Sequence, residues 1–417
     1  MPSITHIRYS FTCVLLLSTC AIVYGQSNDL QFYLQQGVGN SPLLKDYQNQ
    51  IRSGGIDSML IRASHRPQVL ANGQLMVAPT INGYGYDQAI TNGGNYAATV
   101  GASQPIFNRK ILEPQYRGIL LQNQTIGNTA QISELDVKKN ITAQYVTAYA
   151  DYQQMTANRE VYELLHAQQE LLKQLVQRAV YKQTDYLNFQ VALQSQEITL
   201  SQLQIQYRSD IASLNYICGI NDTGMVILAS PDMMDLSVVD RPHSVFFRQF
   251  TLDSLKIVNN KALVDTKYRP SVNWFADAGL QSSQLNTAYK SFGASFGVNL
   301  SVPIYDGKQR QLEYRRLKIE EDTRNNYASF FDRQYDQQVA MLLQQLKAED
   351  GLVNEIKEKL KVSQLLMDIS KKQLNTGDLR ITDYILAINN YLSVKGSLNQ
   401  AEINRYQIIN QLNYWYH

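Results

Sequence analysis

The stretch Phe292-Gly293-Ala294-Ser295-Phe296-Gly297-Val298-Asn299-Leu300-Ser301-Val302-Pro303-Ile304-Tyr305 decides the fold. Through Val302 every second residue is apolar and the residues between are small or polar, which predicts a β-strand with one apolar and one polar face. Val272, Trp274, Ala276, Ala278 and Leu280 alternate likewise, and Val69, Ala71, Leu75 and Val77 with Tyr96, Ala98, Val100 and Ala102 give weaker versions. Two hairpins are expected, turning near Asp87 to Asn95 and near Gln284 to Ser291. Strands of about 10 residues with this pattern match a tilted transmembrane β-strand, and equally a soluble hairpin with one buried face.

The closing Pro303-Ile304-Tyr305 answers Pro105-Ile106-Phe107, 198 positions earlier. The same offset relates Tyr116-Arg117 to Tyr314-Arg315, Thr184-Asp185-Tyr186 to Thr382-Asp383-Tyr384, and Leu214-Asn215-Tyr216 to Leu412-Asn413-Tyr414. Upstream, His65-Arg66-Pro67 answers Tyr268-Arg269-Pro270 at offset 203, so a loop absorbs five residues. The chain reads as one unit used twice: residues 26–219, with strands about 67–105 and a helical hairpin about 108–219, and residues 220–417. The second holds a linker and helix about 220–267, strands about 270–303 and a hairpin about 305–417.

The helical parts follow from composition and period. From Asn128 to Cys218 there is neither Gly nor Pro, which favours uninterrupted helix. Val339, Leu346, Val353, Leu360 and Met367 recur every seven residues, with Leu342 and Ile356 between them, the pattern of a coiled-coil seam. Ile141, Ala148, Met155 and Tyr162 continue that frame in the first half. Asn375-Thr376-Gly377-Asp378 marks a turn, and the repeat transfers it to Ala179–Gln183, so each half becomes a helical hairpin. The arm of residues 110–178 is then roughly 100 Å long at 1.5 Å per residue.

Arg8 precedes an apolar run from Phe11 to Val23, too short to span a bilayer, and Val23-Tyr24-Gly25 suits cleavage before Gln26, giving a signal peptide of residues 1–25. Leu17-Ser18-Thr19-Cys20 as a lipobox is the competing reading, with Thr19 a poor fit before the cysteine. Cys13 and Cys20 leave with the signal, and Cys218 alone cannot form an internal disulfide. No later run of about 20 apolar residues exists, so a membrane-inserted mature chain must be a β-barrel. The 38 Lys and Arg nearly balance the 36 Asp and Glu, which argues against nucleic acid as a partner. His6 falls in the signal, and His65, His166, His243 and His417 lack metal-ligand spacing; no catalytic grouping or nucleotide loop is present, so neither enzyme nor cofactor is expected.

A polar N-terminal helix (Tyr33 to Ile51, containing Gly39-Asn40-Ser41-Pro42-Leu43), an Arg-Pro strand start, two strands ending in Pro-Ile-(Phe/Tyr) and a long helical hairpin, all repeated once, resembles the TolC family of outer-membrane channels. The resemblance covers essentially the whole mature chain. It implies a mixed α+β membrane protein with four transmembrane β-strands per subunit, assembling as a homotrimer whose 12-stranded barrel sits in outer-membrane lipid of a Gram-negative bacterium. The hairpins would form a periplasmic helical barrel. The implied function is passive exit of small molecules for an efflux pump, with a periplasmic adaptor (membrane fusion) protein and an inner-membrane transporter as partners. A type I protein-secretion duct shares the fold, and an exported soluble coiled-coil structural protein is the alternative from a different class.

Leu374-Asn375-Thr376-Gly377-Asp378-Leu379-Arg380-Ile381-Thr382-Asp383-Tyr384 resembles the family's hairpin tip, where an aspartate after a Gly turn faces the pore axis. By resemblance Asp185 and Asp383, with Tyr186 and Tyr384, form a pore gate, and Tyr181, Lys182, Gly377, Leu379 and Arg380 are tip residues for adaptor contact. Leu386 stands where the family often has a second acid, so a double acidic ring is not implied. Thr184 and Thr382 before those aspartates fit plain helix capping equally.

Overall fold

A computed structural model describes residues 29–106, 109–222, 224–233 and 241–417. The expected signal peptide, with His6, Cys13 and Cys20, and Phe107 of the repeat motif lie outside the described residues.

The described residues begin with two helices, α1 (Leu30–Asn40) and α2 (Pro42–Ser64). The single helix expected from Tyr33 to Ile51 is therefore corrected at both ends and in the middle. Pro42 lacks an N–H, so the chain leaves helical geometry at Ser41 and restarts with Pro42 in the first turn and the Ser41 hydroxyl accepting from Leu44 N at 3.4 Å. Asp29 caps the first helix by accepting from Phe32 N at 2.9 Å. The second helix runs through Gly54-Gly55, poor helix formers, because Gly54 lies against Asn123: a Cβ there would sit 2.1 Å from the Asn123 Oδ1.

Four strands follow the expected alternation: β1 (Gln68–Val77), β2 (Gly94–Pro105), β3 (Ser271–Ser282) and β4 (Phe292–Ser301). The first connection, residues 78–93, is longer than the turn expected from Asp87, and the second contains a 3₁₀ turn, Leu285–Lys290. The two hairpins are joined, since β2 pairs antiparallel with β3, giving one sheet of order β1-β2-β3-β4 among the described residues.

The register aligns the apolar positions of every strand. Val69 faces Ala102, Ala102 faces Ala276, and Ala276 faces Phe296; likewise Ala71, Val100, Ala278 and Ala294 run in line across the sheet. Directly opposed residues project to the same side, so one face is apolar from edge to edge. The other carries Asn72, Thr99, Asp277 and Ser295, with Ser295 Oγ donating to Asp277 Oδ2 at 2.8 Å. Among the described residues nothing covers the apolar face: Phe296 is 90% exposed, and Val298 and Leu300 are exposed beside it.

Helices α3 (Arg109–Gln177) and α4 (Gln183–Cys218) form one hairpin, α5 (Val245–Lys267) leads into β3, and α6 (Gln309–Thr376) and α7 (Ile381–Trp415) form the second hairpin. At 69 residues α3 is about 100 Å long. The heptad reading holds: Leu342, Val353 and Met367 of α6 are buried, as are Ile141, Ala148 and Met155 of α3. Arg405 on α7 pairs with Asp350 on α6 at 2.6 Å, and Lys357 with Glu402 at 3.3 Å. The hairpins lie against each other through α3 and α7, where Asn399 Nδ2 donates to Ala150 O and Asn410 Nδ2 to Lys139 O, both at 2.8 Å. No helix among the described residues is long and apolar enough to cross a membrane.

After α4 the chain folds back along its own hairpin: Tyr145 Oη donates to Ala229 O at 2.7 Å, Tyr207 Oη bonds Val226 O, and Leu228 and Met233 enter the core with Tyr33. Cys218 is buried there against the carbonyl of Tyr33, and burial pushes its thiol up to about 12. On the α3–α4 seam, burial first and then the hydrogen-bonded Asp210 carboxyl push Asp151 up to about 7, against a smaller opposite pull from Gln206. A carboxyl raised in the folded state holds its proton there while the unfolded chain has lost it, so stability declines as pH climbs from about 4 to about 7. Asp151→Asn is expected to flatten that decline and raise Tm above pH 7; a thermal melt series from pH 5 to 8 with parallel curves for parent and variant would rule the pair out as its cause.

Candidate functional site

The two helical turns meet at one end of the molecule around a shared core. Leu172, Phe189 and Tyr186 from the first hairpin contact Leu374, Ile381, Tyr384 and Ile388 from the second, all buried. Both turns end the preceding helix in the same way. Gly377 N–H donates to Leu374 O at 3.2 Å and Asp378 N–H to Gln373 O at 2.9 Å, with Gly377 at φ +84°. Ala179 N–H donates to Val176 O at 3.0 Å and Val180 N–H to Leu175 O at 2.9 Å, with Ala179 at φ +60°. One position thus carries glycine and its mate carries alanine in a left-handed conformation that costs an L-residue about 1 kcal/mol. Ala179→Gly is expected to stabilise by about 1 kcal/mol, whereas Gly377→Ala destabilises by at least as much, because its Cβ would also meet Val180 Cγ1 at 2.8 Å. Denaturant midpoints of the two variants moving in the same direction would contradict this.

Helices α4 and α7 begin at Gln183 and Ile381, so Lys182 and Arg380 are their N-caps, neither with a capping side-chain bond. The capping role considered for Thr184 and Thr382 is therefore corrected: each lies inside the first turn, one position before its aspartate. Asp185 and Asp383 are half-buried in those first turns, where the exposed helix N–H groups favour a negative charge.

Arg380 reaches forward one turn to Asp383 with two bonds, Nε to Oδ2 at 2.9 Å and a second guanidinium nitrogen to Oδ1 at 3.0 Å. The Asp383 carboxylate, with Asp185 of the other tip adding to the field, raises the Arg380 guanidinium above its ordinary value. Residues expected to serve separately, one as an adaptor contact and two as gate acids, therefore share one electrostatic cluster. The spacing of Arg380 to Asp383 along a helix start carried that signal in the sequence.

Tyr181 is half-buried, and its hydroxyl lies 2.8 Å from both the Leu374 and the Leu379 carbonyl oxygens, tying the first tip to the second. Tyr186 and Tyr384 turn their rings into the shared core, with burial pushing Tyr384 up to about 12. Lys182 and Arg380 are exposed at the apex, and Gly377 and Leu379 are half-buried beside them. Among the described residues no group of three His, Cys, Asp or Glu side chains is placed to hold a metal ion.

No family model matches the chain and no curated protein matches it in sequence. Solved structures do match in shape. The CmeC outer-membrane channel of Campylobacter jejuni superposes with a TM-score of 0.67 at 14% identity, over 93% of this chain and 85% of that one. The outer-membrane protein VceC of Vibrio cholerae gives 0.70 at 11% identity, over 93% and 95%. The open state of the MtrE outer-membrane channel of Neisseria gonorrhoeae gives 0.68 at 13%, over 93% and 88%. The uncovered apolar sheet face, the paired long hairpins and these superpositions agree: the chain has the fold of the TolC family of outer-membrane channels.

Proposed function

We propose that the chain is one subunit of a passive outer-membrane exit duct for an efflux pump of small molecules. The apolar face running unbroken across all four strands carries this reading, because burying it in lipid is the one environment that suits exposed Phe292, Phe296, Val298 and Leu300 together. Backbone groups cannot remain unpaired in hydrocarbon, yet β1 and β4 each have a free edge, so the sheet closes only by joining copies of itself. Three copies supply a 12-stranded barrel with the polar face inward, as the family resemblance implies. The two halves act as repeats of one unit, and the leader of residues 1–25 directs export.

In this assembly the tips converge at the end remote from the sheet. Asp185 and Asp383 line the constriction in six copies and favour cations, while Arg380, bound to Asp383, contributes to holding it shut. Tyr181, Lys182, Gly377, Leu379 and Arg380 face a periplasmic adaptor that links the duct to an inner-membrane transporter. The buried Tyr186 and Tyr384 serve the gate by fixing the helix starts that bear the aspartates. A type I protein-secretion duct is the sibling reading, and cargo assays separate the two.

The test is membrane fractionation of cells making the full chain, mass determination of the detergent-solubilised particle, and conductance in planar bilayers. An outer-membrane trimer is expected, with cation preference lost and resting leak raised in the Asp185→Asn, Asp383→Asn double variant. A soluble monomer would sink the duct, and unchanged ion selectivity would sink the acidic gate.

A further inference from the structure

Asp277 is the one acidic or basic side chain on the four strands. It stands on their polar face, in a row with Leu70, Gly101 and Ser295. Ser295 Oγ donates to its Oδ2 at 2.8 Å, and its Oδ1 takes no hydrogen bond among the described residues. The carboxylate lies half-buried against a floor of bare backbone, since Gly101, Gly279, Gly293 and Gly297 surround the pair on that face. Phe275, the preceding residue on the same face of β3, lays its ring over Gly297, where a Cβ would meet Phe275 Cζ at 2.7 Å.

The other half of the chain supplies the comparison. The offset of 203 carries Asp277 onto Gln74, and the offset of 198 carries Ser295 onto Ala97. Gln74 and Ala97 also face each other, so the same cross-strand position exists in both hairpins. In the first it is neutral; in the second it holds a carboxylate with a hydroxyl donor beside it. A charge on the apolar face would cost several kcal/mol in lipid, about 2–4 at mid-height, whereas a charge on the lumen side of a barrel tunes what passes.

We infer that Asp277 is a specificity-determining residue of the duct, favouring organic cations as they leave through the sheet end. The inference rests on the proposed barrel and names the class of cargo that its wall selects. Twelve strands about 4.8 Å apart and tilted about 40° close at a radius of about 12 Å, which sets three Asp277 carboxylates about 10 Å from the axis. That distance is close to the screening length of about 8 Å at physiological salt and well inside the value of about 30 Å at 0.01 M. The tips surround the constriction and govern small ions, while the barrel is wide and its carboxylates act on bulky cargo that touches the wall. An ammonium group there meets Asp277 Oδ1, with the Phe275 ring beside it for the apolar body of the same molecule. An anion of the same shape meets only repulsion.

The test compares how fast a lumen thiol reacts with an organic cation and with its matched anion. The probes are trimethylammonioethyl and sulfonatoethyl methanethiosulfonate, applied to the full chain in isolated membranes at about 0.01 M salt. Ser103→Cys puts the thiol on the polar face, diagonal to Asp277 at about 7–8 Å. Val100→Cys puts one on the apolar face, and buried Cys218 stays silent. The cation-to-anion rate ratio at Ser103→Cys is expected to fall about fivefold when Asp277→Asn is added, to be retained with Asp277→Glu, and to fade at about 1 M salt. Val100→Cys is expected to react with neither reagent. A ratio that Asp277→Asn leaves unchanged, with Val100→Cys still silent, overturns the role of Asp277 and leaves the duct standing. Val100→Cys reacting as fast as Ser103→Cys puts both faces in water and overturns the duct as well.

Discussion

Leu374→Ala is expected to lower the unfolding free energy by about 2–5 kcal/mol, the range for removing a fully enclosed leucine when the site cannot collapse. Collapse is restricted here from several directions. The side chain is 0% exposed at the centre of the tip core, between Leu172 and Phe189 of one hairpin and Ile381 and Tyr384 of the other. Its backbone carbonyl also accepts from Gly377 N–H at 3.2 Å and from the Tyr181 hydroxyl at 2.8 Å, so the main chain cannot shift inward without breaking the bonds between the two turns. Leu386 lies 12 positions on in the same hairpin but is 59% exposed, and Leu386→Ala should change stability by about 0.5 kcal/mol or less. Urea unfolding of the detergent-solubilised protein, with protease cleavage near residue 180 as a local readout, compares the two. Equal losses, or a Leu374→Ala cost below about 1 kcal/mol, would mean that the two turns do not share one core.

Phe296→Arg is expected to cost about 2–4 kcal/mol, because in the proposed duct it places a charge near mid-height of a strand on the face turned to lipid. Phe296 is the fifth of ten residues in β4 and is 90% exposed in the single chain, so an ordinary soluble protein would tolerate arginine there with little loss. Asn299, three residues on and pointing to the opposite face, provides the comparison: Asn299→Arg adds the same charge on the polar side and should insert normally. The measurement is the fraction of each variant found as folded oligomer in outer membranes. Two variants that assemble equally well would place the sheet in water and return the chain to the coiled-coil alternative.

Much of this architecture is legible in the sequence. The strand and heptad periods depend only on which residues recur on one side of a regular backbone, and both strands and seams fall where Phe292–Val302 and Val339–Met367 place them. Gly377 announced its turn because a left-handed residue after a helix is most easily glycine, with φ +84° as the outcome. Ala179 has no such chemistry and was found only through the repeat; it holds φ +60° because the surrounding core imposes the turn. The boundary at Pro42 is not legible in sequence, because an isolated proline at a helix start and one at a helix break look alike there.

The candidate site divides along the same line. The aspartates and their helix starts are legible from Thr-Asp-Tyr at both tips, whereas the bond of Arg380 to Asp383 and the link of Tyr181 to the second tip emerge in the folded chain. Tyr181 and Leu374 lie 193 positions apart, and no local pattern reports such a meeting.

By itself the sequence determined the elements and their faces: long two-stranded helical hairpins, strands with one apolar side, and the likeness of the two halves. Periodicity and turn chemistry are local, and local preferences act before the chain meets itself. Only the tertiary structure decided that β2 pairs with β3, that the apolar positions of four strands align into one uncovered face, and that α3 meets α5 while α2 and α6 remain open. These are choices among distant partners, settled by register, by the fit of Asn128 and Asn259 to particular carbonyls, and by where buried surface can be shared.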